Sequence, residues 1–299
     1  MFGRLKTKLT HAIDRTVWKD EFIKRREYRD GVCRYPDSII GRQNFPGDHL
    51  HRGGILVIAA HPDDDVLGVA TTLIRHAKSG DPITIVFTTN GAGGDWKSSV
   101  AEQRAYADLR YAEACEGLAL LDIPPSNVIS LGFPDGGLHR YIQPLTSDLL
   151  HLFQTVRPAR IYVHAIEGGH IDHDVTSFVV QFLCQQLHLP DVYEWAEYNR
   201  EAPLGAPQIH FPNDPFLNDS AYTRIDLTED ELSLKTKMLS KHQSQRDVIR
   251  IAPSRHSEVI RAAKPVHLKQ RLLHFGRLPH NRVSKSLFVF EEFSRNMPI

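Results

Sequence analysis

The sequence predicts an α/β fold: a doubly wound, mostly parallel, Rossmann-like sheet preceded by an N-terminal helical extension. Three observations lead there. Short β-branched apolar runs alternate with amphipathic helical patterns, as in a parallel sheet covered on both faces. Two of these runs end in a turn rich in His and Asp that leads directly into a helix, at the edge where open α/β sheets bind ligands. The chain has 299 residues, 41% of them hydrophobic and 24% charged, enough for one large core.

Residues 1–52 form the extension. Leu5, Leu9, Ile13 and Val17 recur every four residues among Lys and Arg, with Trp18 and Phe22 beside them, which describes a basic amphipathic helix. Such a helix can lie on an anionic membrane, but packing against its own domain or a second subunit is the expectation. It lacks the continuous apolar stretch of a signal peptide. Residues 53–299 make the main domain. Residues 55–60 read as a buried strand, followed by a helix with Val66, Leu67, Ala70, Leu73, Ile74 and Ala77 on one face and Gly80 at its end. Residues 83–87, 128–131 and 160–164 read as further parallel strands, with helices near 100–121 and 143–156 and another through Thr176, Val179, Val180 and Leu183. Thr228-x-x-Glu231 is a capping box opening a late helix expected to carry His242. Residues 202–218, rich in Pro, read as a long surface loop bordering the ligand site. The glycines of residues 88–95 lack a following Gly-Lys-Ser/Thr, so they are a weak nucleotide signal and a better fit to a mobile loop.

The chemistry is concentrated at the two strand ends. The first carries His61-Pro62-Asp63-Asp64-Asp65. One Asp would be only a helix cap or first-turn residue, but three consecutive acids repel one another unless a cation neutralises them. The second carries Glu167-Gly168-Gly169-His170-Ile171-Asp172-His173-Asp174. Here two glycines would let backbone approach a ligand, and two His three apart at a helix start can point the same way. A metal site is expected where the two meet.

Other classes are disfavoured. A formal net charge of +0 and the lack of a basic stripe argue against nucleic acid as the main partner. No apolar run approaches the ~18 residues of a membrane span. The three cysteines, widely spaced and without a C-x-x-C pair, cannot form a cysteine-type zinc site and suit a reducing, cytoplasmic setting. Among the 17 His, those outside the motifs, such as His11, His76, His151 and His256, read as surface or packing residues.

Together with Gly132-Phe133-Pro134-Asp135-Gly136-Gly137-Leu138, Arg110-x-x-Glu113 and His242-x-Ser244-Gln245, these ordered motifs resemble the LmbE, or PIG-L, family of zinc-dependent N-deacetylases. The resemblance runs from about Gly54 to about Gln245, with a weaker echo over residues 288–293. It implies an LmbE-type sheet and a hydrolase that removes the acetyl group from an N-acetylglucosamine-type sugar or its conjugate. It implies His61, Asp64 and His173 as ligands of one Zn2+ per chain, a place that another divalent ion such as Fe2+ could take. It implies Asp63 as general base and His170 as the residue that stabilises the tetrahedral intermediate and protonates the leaving amine. Asp172 would orient His170 or a neighbouring ligand, while Arg110 and Asp135 would contact substrate. On residue grounds alone Arg110 could instead pair with Glu113, and Asp135-Gly136 could be an ordinary turn. The implied partner is a small N-acetylated amino-sugar conjugate, with a homo-oligomer as a candidate state. The chain departs from the family pattern in having Asp65 where Glu is common and Ile171 where Pro is common. It also has Glu167-Gly168-Gly169 where some members carry an assisting Tyr. Two other functions fit the same residues: a phosphoesterase using the aspartates around two cations, and a sugar- or nucleotide-binding module without catalysis.

Overall fold

The computed structural model describes residues 35–93, 99–189, 191–217, 221–251, 255–276, 287, 290–291 and 294–295. The expected alternation opens the described chain: β1 (Ile55–Ala59), α1 (Asp64–Lys78), β2 (Ile83–Thr89), α2 (Val100–Leu118), β3 (Val128–Phe133), α3 (Ile142–Val156), β4 (Arg160–His164) and α4 (Ile171–Gln186). It continues with β5 (Val192–Trp195), β6 (Thr223–Asp226), α5 (Glu229–Leu239), α6 (Arg246–Ile251), β7 (Ser257–Ala262) and α7 (Leu268–Phe275). Among the described residues the strands form one sheet of order β3-β2-β1-β4-β5-β7-β6. The first five are parallel, whereas β7 pairs antiparallel with both β5 and β6.

The interior is split by that sheet. Leu56 and Ile58 of β1 enter a cluster with α3 and α4, and Val57 and Ala59 enter a second with α1, α2 and Met238 of α5. This two-sided burial is why the strand reads as a continuous apolar run rather than an alternating one. Capping boxes at Ser99/Glu102 and Thr228/Glu231 start α2 and α5.

The basic helix read in residues 5–22 lies outside the described residues. The next stretch runs along β3: Ile40 N–H donates to Gly132 O (3.1 Å), Gln43 bridges Ser130, and Arg42 pairs with Asp148 at 2.6 Å. Strand order reverses between β1 and β4, which are neighbours in the sheet although a hundred residues apart. This switch point opens a crevice at the carboxyl ends of the two strands, and both His/Asp motifs lie there.

Candidate metal centre

β1 delivers His61 to the crevice, and the turn into α1 brings Asp64 back beneath it. Asp64 Oδ2 accepts from His61 N–H (2.7 Å) and lies 3.0 Å from His61 Nδ1. His173, in the first turn of α4, puts its Nε2 3.2 Å from the same oxygen and 3.3 Å from His61 Nδ1. All three residues are buried. The spacing of these atoms matches the ~3.3 Å edge of a tetrahedron with metal–ligand bonds of about 2.0–2.1 Å. Electrostatics point the same way. Burial disfavours a charged His61, yet Asp135 and Asp64 outweigh it and hold the imidazole well above its ordinary value. Burial likewise opposes ionisation of Asp64, but His173 and His61 keep its carboxyl well below the usual range. The cluster demands positive charge at this point, and its donor set suits a divalent cation.

Around it stand the other residues read from sequence. Asp63 Oδ1 lies 3.0 Å from Arg110 Nη2, whose Nη1 donates to Gly91 O (2.7 Å) and lies 4.0 Å from Asp135 Oδ2. Arg110 thus joins both acids, while Glu113 turns away to accept from Ser244 N–H and Oγ. Asp135 Oδ1 is 3.2 Å from His61 Nε2, and its Oδ2 accepts from Gly93 N–H. Asp172 accepts from Gly136 N–H (2.6 Å) and Leu138 N–H (3.1 Å), fixing the turn that presents Asp135, and stands 3.6 Å from His61 Nε2. His170 is the N-cap of α4: its Nδ1 accepts from Asp172 N–H (3.2 Å), leaving Nε2 to carry the ring proton. Burial and the neighbouring His61 push its pKa down to about 4, so the ring is neutral.

Several expectations change. Gly168 and Gly169 admit protein backbone, not ligand: a Cβ on Gly168 would stand 2.5 Å from Phe275 O, and one on Gly169 1.9 Å from Tyr198 O. His242 follows α5 instead of lying on it, and is buried. Asp65, the shortened acid, is fully buried with no hydrogen-bond partner for either oxygen among the described residues; burial and the charges of Asp63 and Asp64 push it up to about 8.

Sequence reading gave no role to a buried layer beside the ligands, although it placed Glu167 in the second motif. His164, the last residue of β4, stacks on His173 with ring centroids 3.9 Å apart and lies 3.3 Å from Asp64 Oδ2. Glu197 lies 3.5 Å from His164 Nδ1 and accepts from Trp195 Nε1 (3.3 Å). Glu167 accepts from the backbone N–H of Glu197 and Tyr198 and from Asn199, and burial raises it to about 8. Tyr198 turns its ring edge to His173. A polar residue closing the buried run Ile161–Val163 was the available signal for His164.

Fold and site together define a class: a doubly wound α/β protein with a His/carboxylate cluster suited to a divalent cation at its switch point. More particularly, residues 56–183 match the PIG-L (LmbE) family, described as GlcNAc-PI de-N-acetylase. It is 23% identical over 244 residues to 1D-myo-inositol 2-acetamido-2-deoxy-alpha-D-glucopyranoside deacetylase 2 of Catenulispora acidiphila, covering 65% of this chain and 80% of the relative. It is 28% identical over 166 residues to a probable N-acetyl-alpha-D-glucosaminyl L-malate deacetylase 2 of Bacillus cereus, covering 52% and 73%. Among solved structures, the A40926 pseudoaglycone deacetylase Dbv21 superposes with a TM-score of 0.55 at 17% identity, over 71% of this chain and 99% of that one. The N,N'-diacetylchitobiose deacetylase of Pyrococcus horikoshii gives 0.51 at 20%, over 71% and 84%. These likenesses establish the LmbE-type fold. No helix among the described residues is long and apolar enough to cross a membrane.

Proposed function

We propose that this protein is a zinc-dependent hydrolase that removes the N-acetyl group from an N-acetylglucosamine-type sugar or sugar conjugate. The observation that carries the reading is the convergence of His61 Nδ1, Asp64 Oδ2 and His173 Nε2 within 3.3 Å, with the Asp63 carboxylate on the intervening turn. The names of the relatives supply the substrate class. His61, Asp64 and His173 would hold the metal, and two His with one carboxylate leave room for water and substrate. When bound, a divalent ion supplies Lewis-acid polarisation of the amide carbonyl and acidifies water.

The chain's own groups do the rest. Asp63, held by Arg110, takes the proton of the attacking water. His170, neutral and protonated at Nε2, donates toward the carbonyl oxygen as it gains charge. Because Asp172 N–H occupies His170 Nδ1, we assign the proton for the departing nitrogen to Asp63, which has just collected one. Asp172 holds the Asp135 turn in place, and Asp135 and Arg110 are the polar contacts for the sugar. Zn2+ is the proposed ion, with Fe2+ as the substitute of similar ligand preference, and the proposed setting is cytoplasmic, with a homo-oligomer as a candidate state.

The test is Asp63→Asn with metal content measured beside amine release from N-acetylglucosamine conjugates. Full zinc occupancy with turnover lowered ~10²- to 10⁴-fold is expected. Undiminished turnover would refute the base assignment. Phosphate-ester cleavage without amine release would favour the phosphoesterase instead.

A further inference from the structure

His164 is close enough to the centre to be taken for a ligand. Donor atoms of Asp64, His164, His173 and Glu197 all lie within 4.8 Å of one another, and all four residues are buried. Its hydrogen bonding says otherwise. Ala60 N–H donates to His164 Nε2 at 3.0 Å, so the nitrogen 3.3 Å from Asp64 has its lone pair engaged. The ring proton then belongs on Nδ1, which faces Glu197 Oε2 at 3.5 Å. That oxygen is itself fixed by Trp195 Nε1–H (3.3 Å). The imidazole is held flat against His173, 3.9 Å between centroids and 21° between planes, and Trp195 closes on it at 4.4 Å. The indole fits there because residue 68 is glycine: a Cβ at that position would stand 2.1 Å from Trp195 Nε1.

We propose that His164 is a positioning residue for the metal ligands, not a ligand. Ala60 N–H fixes its tautomer, Trp195, itself held by Glu197, fixes its plane, and it fixes the plane of His173 in turn. The inference rests on the metal reading above and adds to it a buried support outside the two His/Asp motifs. Such partners of ligating groups typically contribute 10- to 100-fold in metal affinity.

The test uses the full-length protein and zinc affinity measured by competition with a chromophoric chelator. His164→Ala and Glu197→Leu are each expected to weaken zinc binding ~10- to 100-fold. Glu197→Gln retains the acceptor for Trp195 Nε1 and a polar atom facing His164 Nδ1, and is expected to stay near wild type. Co2+ substituted into wild type and His164→Ala should give the same d–d band positions, because the ligand set is unchanged. Should His164→Ala fail to fold, the Glu197→Leu and Glu197→Gln contrast carries the same expectation. Wild-type affinity in His164→Ala, or equal loss in both Glu197 variants, would overturn the positioning role. Altered Co2+ bands in His164→Ala would overturn it in favour of ligation. A wild-type protein that binds neither zinc nor cobalt would overturn the metal reading together with this inference.

Discussion

Gly68→Ala sets two physical effects against each other. In an exposed helix the change would stabilise by roughly 1 kcal/mol, through lower backbone entropy and better helix propensity. Here the added carbon would lie 2.1 Å from Trp195 Nε1 and 2.4 Å from its Cδ1, more than an ångström inside van der Waals contact. The indole is 0% exposed and braced by His164, so relief requires moving α1 or the end of β5. Overpacking of this kind costs up to about 3 kcal/mol, leaving a net loss of about 2 kcal/mol. At ~2–4 °C per kcal/mol for a domain of this size, Tm should fall by about 4–8 °C. Differential scanning calorimetry on the metal-free protein reads this directly, and zinc affinity should weaken in the same variant. A Tm equal to or above wild type, with unchanged zinc affinity, would show that the indole has room and that Trp195 braces nothing.

Stripping the metal should abolish amine release and lower Tm. Restoring zinc to 100 times its Kd should return ~2.7 kcal/mol, whereas a Tm indifferent to zinc would contradict binding to the folded state. Asp172→Ala should destabilise by about 3 kcal/mol, since two backbone N–H groups lose a charged acceptor. Asp172→Asn, which keeps one acceptor oxygen, should lose about half as much in urea titration, and equal stability of all three proteins would dismiss the turn-holding role. Glu231 is lowered to about 2 from 4.5, first by Arg75 and then by the Thr228 cap. Its contribution is therefore complete above pH 4.5 and is lost as pH falls toward 2. Arg75 is half exposed, so the effect stays under ~1 kcal/mol. Glu231→Gln should flatten the stability profile in that window, and an unchanged acid limb would dismiss the pair.

What could be read ahead of the fold was the set of features encoded within a few residues of one another. The β1–α1 and β4–α4 units announce themselves by apolar period, and each motif sits on the turn its own strand and helix create. β5, β6 and β7 escaped notice because their polar residues break the apolar signal. Glu194 and Arg261 pair at 2.6 Å, Arg271 joins the same Glu194, and Glu258 pairs with Lys235, all of them buried. Charges that satisfy one another inside look, along the chain, like exposed loop.

By itself, then, the sequence determined the α/β alternation, the two His/Asp turns and the acids and imidazoles suited to a cation, because periodicity and turn chemistry are local. Only the tertiary structure decided which of those groups touch. It joined Arg110 to Asp63 and Asp135, turned Asp172 to the backbone of the 136–138 turn, and filled the space at Gly168 and Gly169 with protein. It also set His164, Trp195 and Glu197 behind the ligands. Those pairings join residues up to more than a hundred positions apart. They depend on strand order and on where a missing Cβ lets two backbones or an indole approach, and no local pattern of residues carries that information.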